Sequence, residues 1–350
     1  MKRLTRSILV RNVFVVASGS AAAQVIVFAF SPLITRIYSP ETFGLQGVFL
    51  SLVGILSPVI ALRYPMAIIT AKTDAEALRL SHLSLLVALG MAALLWLILL
   101  AGGQTVLQLL GAEGLGMLIL FLPLALIAVA LQDIMDYRAA RLGAFRLLGL
   151  VAVLQAFVTN LSRVLGGLAA PVAATLVTIT ALAPALWAVM LWVGARDLRH
   201  RALDDTLVDA REILSRYRDF PLFRMPTDVL NAASQAVPVI MLAALYSPTA
   251  AGLYALTRSV LNLPSNIIGQ AVGNVMFARF AEMSREGLLL LPLLLRASFA
   301  LLALAPIIIG LAWFAPLVFA YVFGDDWREA GQYARWMALW TGVALANVPA

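Results

Sequence analysis

The chain has 350 residues, of which 62% are hydrophobic and only 12% charged, with a net charge of +7 and no cysteine. Soluble domains run nearer half apolar and a quarter charged, so this composition excludes a water-soluble fold. The lack of cysteine excludes disulfides, thiolate nucleophiles and cysteine metal sites, and the scatter of basic residues between apolar runs argues against a nucleic-acid partner.

Ten long apolar segments are expected, at about 10–35, 44–70, 80–102, 115–135, 145–168, 170–195, 220–246, 252–278, 287–312 and 331–350. Each reads as a helix, because every backbone amide in lipid must be satisfied within its own segment. The expected fold class is therefore an all-α polytopic membrane protein. A cleaved signal peptide ending near Ala21-Ala22-Ala23 fits less well, since the first apolar run continues to about Ile34.

Connections near Ser39, at 103–114, near Gly167 and near Ser247 are almost free of Lys and Arg. The others carry Lys2, Arg3, Arg6, Lys72, Arg79, Arg138, Arg141, Arg146, Arg279, Arg285 and the arginines of 196–218. This asymmetry places the basic side and the N-terminus in the cytoplasm. The 196–218 stretch mixes acids and arginines on an imperfect apolar stripe and reads as an interfacial linker helix.

The chain repeats itself. Tyr38-Ser39-Pro40 with Gly44 returns as Tyr246-Ser247-Pro248 with Gly252, 208 residues later. Gly111-Ala112-Glu113-Gly114 is echoed by Gly324-Asp325-Asp326-Trp327 at an offset of 213. Two halves of like pattern suggest a two-lobed transporter. The expected division is a six-helix lobe at 1–195, a cytoplasmic linker at 196–219 and a second lobe at 220–350. The second lobe stops after four helices, so a longer natural protein or a truncated gene product is expected.

Charges inside the membrane are costly and face a cavity or a partner. The candidates are Arg63, Arg163, Arg224, Asp228, Arg258 and Arg296, with Asp133 and Asp136 at the cytoplasmic end of the fourth segment. Arginine suits phosphate because its fork stays charged and donates two bonds. Arg63, Arg258 and Arg296 are thus candidate cavity residues for an anionic substrate. Arg224 and Asp228, four apart, are expected to pair, in a structural or ion-coupling role. Arg163 is expected to reach out to the headgroups. Asn262, Asn266, Gln270 and Asn274 recur every four residues and draw a polar stripe suited to a hydrated cavity. Prolines 32, 58, 65, 123, 238, 264 and 306 interrupt segments as hinges or static kinks.

There is no GxxxxGK[ST] loop, and His82 and His200 are the only histidines. No serine–histidine–acid set has a credible context, and Asp325-Asp326 sits in a short turn. The chain is expected to be no enzyme, with neither cofactor nor metal.

Several blocks carry a family resemblance. They are Tyr38-Ser39-Pro40-Glu41-Thr42-Phe43-Gly44, Leu62-Arg63-Tyr64-Pro65-Met66-Ala67-Ile68 and Asp219-Phe220-Pro221 with Asn231 and Pro238. Gly252-Leu253-Tyr254-Ala255, Leu263-Pro264 and Phe323-Gly324-Asp325-Asp326-Trp327 with Ala330-Gly331 complete the set. Together they resemble polysaccharide flippases of the multidrug/oligosaccharidyl-lipid/polysaccharide exporter superfamily. The resemblance implies 12 to 14 helices in two six-helix lobes, a cationic central cavity and alternating access. It implies transfer of undecaprenyl-pyrophosphate-linked oligosaccharide to the periplasmic leaflet for surface polysaccharide such as lipopolysaccharide. Its implied partners are that lipid-linked oligosaccharide, membrane lipid and the polysaccharide polymerase machinery. Two other readings stay open: an ion-coupled multidrug exporter on the same fold, and a membrane glycan polymerase or transferase.

Overall fold

A computed structural model describes residues 2–195, 210–262, 276, 279, 283, 291–303 and 305–345. Among them there is no strand. The elements are α1 (Lys2–Ile37), α2 (Pro40–Ile60), α3 (Tyr64–Thr70), α4 (Asp74–Leu109), a 3₁₀ stretch (Glu113–Phe121) leading into α5 (Leu122–Arg141), α6 (Phe145–Ala169) and α7 (Ala173–Gly194). After these come a short α8 (Ala210–Arg216), a π turn (Phe220–Arg224) opening α9 (Met225–Leu245), and α10 over 248–262. The last are α11 (Leu291–Leu302), α12 (Ala305–Ala312), α13 (Ala315–Phe323), a 3₁₀ turn (Asp325–Trp327) and α14 (Arg328–Leu345).

Eight helical stretches among the described residues are long and apolar enough to cross a membrane. They correspond to the first seven expected segments and the ninth. The eighth segment lies partly outside the described residues. The tenth is a helix, but Arg328, Glu329 and Arg335 dilute its apolar character and it is not one of the eight. The stretch expected as a connection at 103–114 is mostly helix, for α4 runs on to Leu109.

Local chemistry sets several boundaries. Ser39 caps α2, its hydroxyl accepting from Thr42 N at 3.3 Å, and Pro40 follows with its φ already helical. Thr73 caps α4 by accepting from Glu76 N at 3.1 Å. The Glu76 carboxylate accepts at 2.7 Å from the backbone N of Lys72, the residue before the cap, a shifted form of the capping box.

The second expected segment is broken. Leu62 (φ 49°) and Arg63 (φ 58°) both adopt the left-handed conformation, and the chain restarts as α3. Two consecutive left-handed side-chain residues cost on the order of 1–3 kcal/mol each, so the surroundings must hold them there.

The main core joins α2, α4, α5, α7 and α9 through Leu45, Val48, Phe49, Leu107, Leu115, Leu122, Leu126 and Val239. Packing also runs along α1 with α6, α2 with α9, and α13 with α14.

At the Lys/Arg-poor end the two sequence echoes meet. A Cβ added at Gly44 would run into the carbonyl of Pro248, and one at Gly252 into the carbonyl of Pro40. The contact is reciprocal, each glycine admitting the other copy's helix start. A second reciprocal layer surrounds it. Gly111 (φ 58°) leaves no room for a side chain against the Ala243 carbonyl. Trp327, fully buried, donates Nε1–H to the Thr35 carbonyl at 2.8 Å. Thr35 and Ala243 are themselves 208 residues apart, like Gly44 and Gly252. Arg36 Nη2 adds a bond to the Tyr321 carbonyl at 2.9 Å, and Phe43 meets Trp327 edge-on at 5.0 Å.

Candidate functional site

At the arginine-rich end a charge cluster joins three elements. The break at Leu62-Arg63 turns the Arg63 side chain away from α2. Its Nη1 donates to Asp133 Oδ2 on α5 at 3.5 Å, and its Nε lies 2.8 Å from Asp228 Oδ2 on α9. The Nε–H does not point at that oxygen, so the second contact is an ion pair rather than an aligned hydrogen bond. Asp228 also takes Arg224 Nε at 3.2 Å, one turn back along α9. The expected Arg224–Asp228 pair is therefore part of a larger set, and Arg63 is not a bare cation. Nearby, Asp136 Oδ1 accepts from Trp187 Nε1 on α7 at 2.6 Å. Nothing in the spacing of the sequence joins Arg63 to Asp133 and Asp228, because the three come from different elements.

Arg258 has a different environment. It is half-buried on α10, and its guanidinium donates to the Gln235 carbonyl at 2.6 Å and to Gln235 Oε1 at 3.0 Å on α9. Both acceptors are neutral, so the charge itself is uncompensated by any carboxylate among the described residues.

The remaining candidates are not brought together. Arg296 is exposed on α11, and Asn262 is exposed at the last described position of α10. Asn266, Gln270 and Asn274 lie outside the described residues. The polar stripe is therefore represented in the structure by Asn262.

Arg163 corrects its expectation. Its side chain turns inward rather than toward the headgroups, donating Nη2 to Thr180 Oγ1 on α7 at 3.1 Å. Its Nη1 reaches Asn160 Oδ1 at 3.5 Å, and its backbone carbonyl accepts from the buried Tyr38 hydroxyl at 2.9 Å. A neighbouring polar residue, Gln46, could have flagged an interior partner, since it too sits in an apolar helix.

At the same end as Arg63, the stretch after residue 209 is clamped to the bundle. Arg216 Nη1 meets the almost fully buried Glu76 at 2.6 Å, and its Nη2 meets Glu212 at 2.6 Å. Arg141 Nη1 donates to the carbonyls of Ile68, Ile69 and Ala71, at 3.1, 3.3 and 2.7 Å, closing the end of α3. Among the described residues, no three His, Asp or Glu side chains gather as a metal set would require.

No curated protein and no solved structure matches the chain. A family model described as polysaccharide biosynthesis protein matches residues 14–332. That span covers most of the chain, including the reciprocal glycine contact, the Arg63 cluster and Arg258, and the chain belongs to the polysaccharide biosynthesis protein family.

Proposed function

We propose that the protein is a flippase that moves an undecaprenyl-pyrophosphate-linked oligosaccharide from the cytoplasmic to the periplasmic leaflet by alternating access. The observation that carries this reading is the reciprocal packing of the two echoes at one end of the bundle. An interface built from matching helix starts of two halves can part and re-form as those halves rock, which is what alternating access requires. The two halves are 1–195 and 220–350, joined by 196–219, and the packed end is the periplasmic one. The state described would then be closed to the periplasm.

Within this reading Arg258 is the first contact for the pyrophosphate, because its present partners are neutral and leave its charge available. Arg63 would have to exchange Asp133 or Asp228 for phosphate, which makes it a residue of the moving cycle rather than of the resting site. Arg296 and the stripe of Asn262, Asn266, Gln270 and Asn274 would complete the cationic and hydrated lining. An exporter of cationic drugs is less well supported, since Asp228, the deep carboxylate it would need, already faces two arginines.

A strain lacking the full-length gene provides the test. Its lipid-linked repeat units should be intact and confined to the cytoplasmic leaflet, with surface polysaccharide lost. Units delivered outside but left unpolymerised would point to an enzyme. Normal glycan with raised drug sensitivity would point to the exporter. Complementation with Arg258→Ala should restore at most about a tenth of the surface glycan, the loss of one charged contact.

A further inference from the structure

The half of the chain before residue 195 holds a cation with no counter-charge. Arg163 lies on α6, six residues before its end, and forms no ion pair with any Asp or Glu among the described residues. Its surroundings are Tyr38, Gln46, Thr159, Asn160 and Thr180, all buried. They are neutral, and two of them, Asn160 and Thr180, accept from its Nη atoms.

Two polar groups at this place are left without a partner. A guanidinium has five N–H groups and no acceptor. The buried Nε of Arg163 meets no acceptor, and the buried hydroxyl of Thr159 has no partner either. These two residues are four apart on α6, so they share a face, with Cβ atoms about 5–6 Å apart. Thr180 Oγ1 already accepts from Gln46 Nε2 at 2.6 Å and from Arg163 Nη2, which leaves its own hydroxyl hydrogen to donate. The Asn160 amide is committed to the Ala156 carbonyl at 2.7 Å. A half-buried positive charge whose buried Nε–H is unfilled is costly and is relieved by an anion.

We propose that the Thr159–Arg163 face of α6, backed by Thr180 and Gln46, binds a small monovalent anion, chloride in the cell. The site is separate from the pyrophosphate site: its residues belong to α6, α7 and α2, and none of them bonds to Arg63 or Arg258. Bound there, the ion neutralises Arg163 and ties these helices together. The stability of this half then depends on halide.

The full-length protein in detergent can be melted while sodium chloride replaces sodium gluconate at fixed ionic strength. The melting midpoint should climb by a few degrees and saturate. Thr159→Val should raise the half-saturating chloride about tenfold, the loss of one hydrogen bond to an ion. Arg163→Met should abolish the chloride dependence. A flat response to chloride in the native chain would overturn the proposal, and so would an unchanged half-saturation in Thr159→Val. Thr159→Val alters a single small side chain and decides the matter even if Arg163→Met does not fold.

Discussion

Gly44 and Gly252 show how much one hydrogen atom in place of a methyl can control. Each accepts a backbone carbonyl of the other echo where a Cβ would stand, and a carbonyl cannot rotate away as a side chain can. Gly44→Ala should therefore push α2 from α10 and destabilise the protein by about 1–3 kcal/mol. The loss would be seen as a lower melting midpoint in detergent. The same change at Gly54, which has open space around it, should be near neutral. Arg63 makes the complementary case for charge. Removing it leaves Asp133 without its cation and Asp228 with Arg224 alone, so Arg63→Ala should cost about 3–5 kcal/mol. Arg63→Lys should recover little, because a point charge cannot serve two carboxylates as a fork does. Chemical denaturation of the two variants beside the native chain measures both effects. The sequence singled out Arg63 by its depth, but its partners were beyond reach. Ion pairs between residues 70 and 165 positions apart have no periodic signature. Arg163 was misjudged for a related reason: nearness to a helix end suggested headgroups, while the side chain's direction depended on Thr180 of a neighbouring helix.

At the scale of elements, apolar length was the reliable signal and continuity was not. Segment 44–70 reads as one helix by hydropathy, yet it breaks at Leu62-Arg63, where hydropathy carries no information about φ. Conversely, α4 runs farther than its apolar core, because Gln104 and Gln108 near its end are still compatible with helix. The stretch after residue 209 shows what fixes a short element. Seven residues of α8 cannot be stable alone, so its order comes from Arg216 meeting Glu76 and from Ile213, which is buried against Leu80 and Ile134. Glu76 serves twice, capping α4 and holding α8. Glu76→Ala should thus release this stretch without unfolding the bundle. Limited trypsin digestion would register this as faster cleavage after Arg216 and Arg218, with the transmembrane fragments staying intact.

For the whole molecule, the internal repeat was legible in the sequence because the turn chemistry recurs: Ser as the cap, Pro at the first helical position, Gly four residues on. What sequence could not supply was that the two copies touch. Equivalent positions of a repeat can lie far apart or face each other, and only the fold decides. Here they face each other, and the absence of cysteine makes the consequence measurable. Gly47 and Ala255 are again 208 positions apart, and a Cβ built at Gly47 stands 3.8 Å from the Ala255 Cβ. That separation is typical of disulfide-bonded cysteines. The double variant Gly47→Cys, Ala255→Cys should therefore cross-link readily on oxidation. If the halves part at this end during each cycle, the oxidised protein should leave lipid-linked units stranded on the cytoplasmic face, and a reductant should restore surface glycan. Each single variant should keep working under both conditions. Full activity with the cross-link closed would mean that α2 and α10 stay together throughout transport, and the moving interface would have to be sought at the Arg63 end instead.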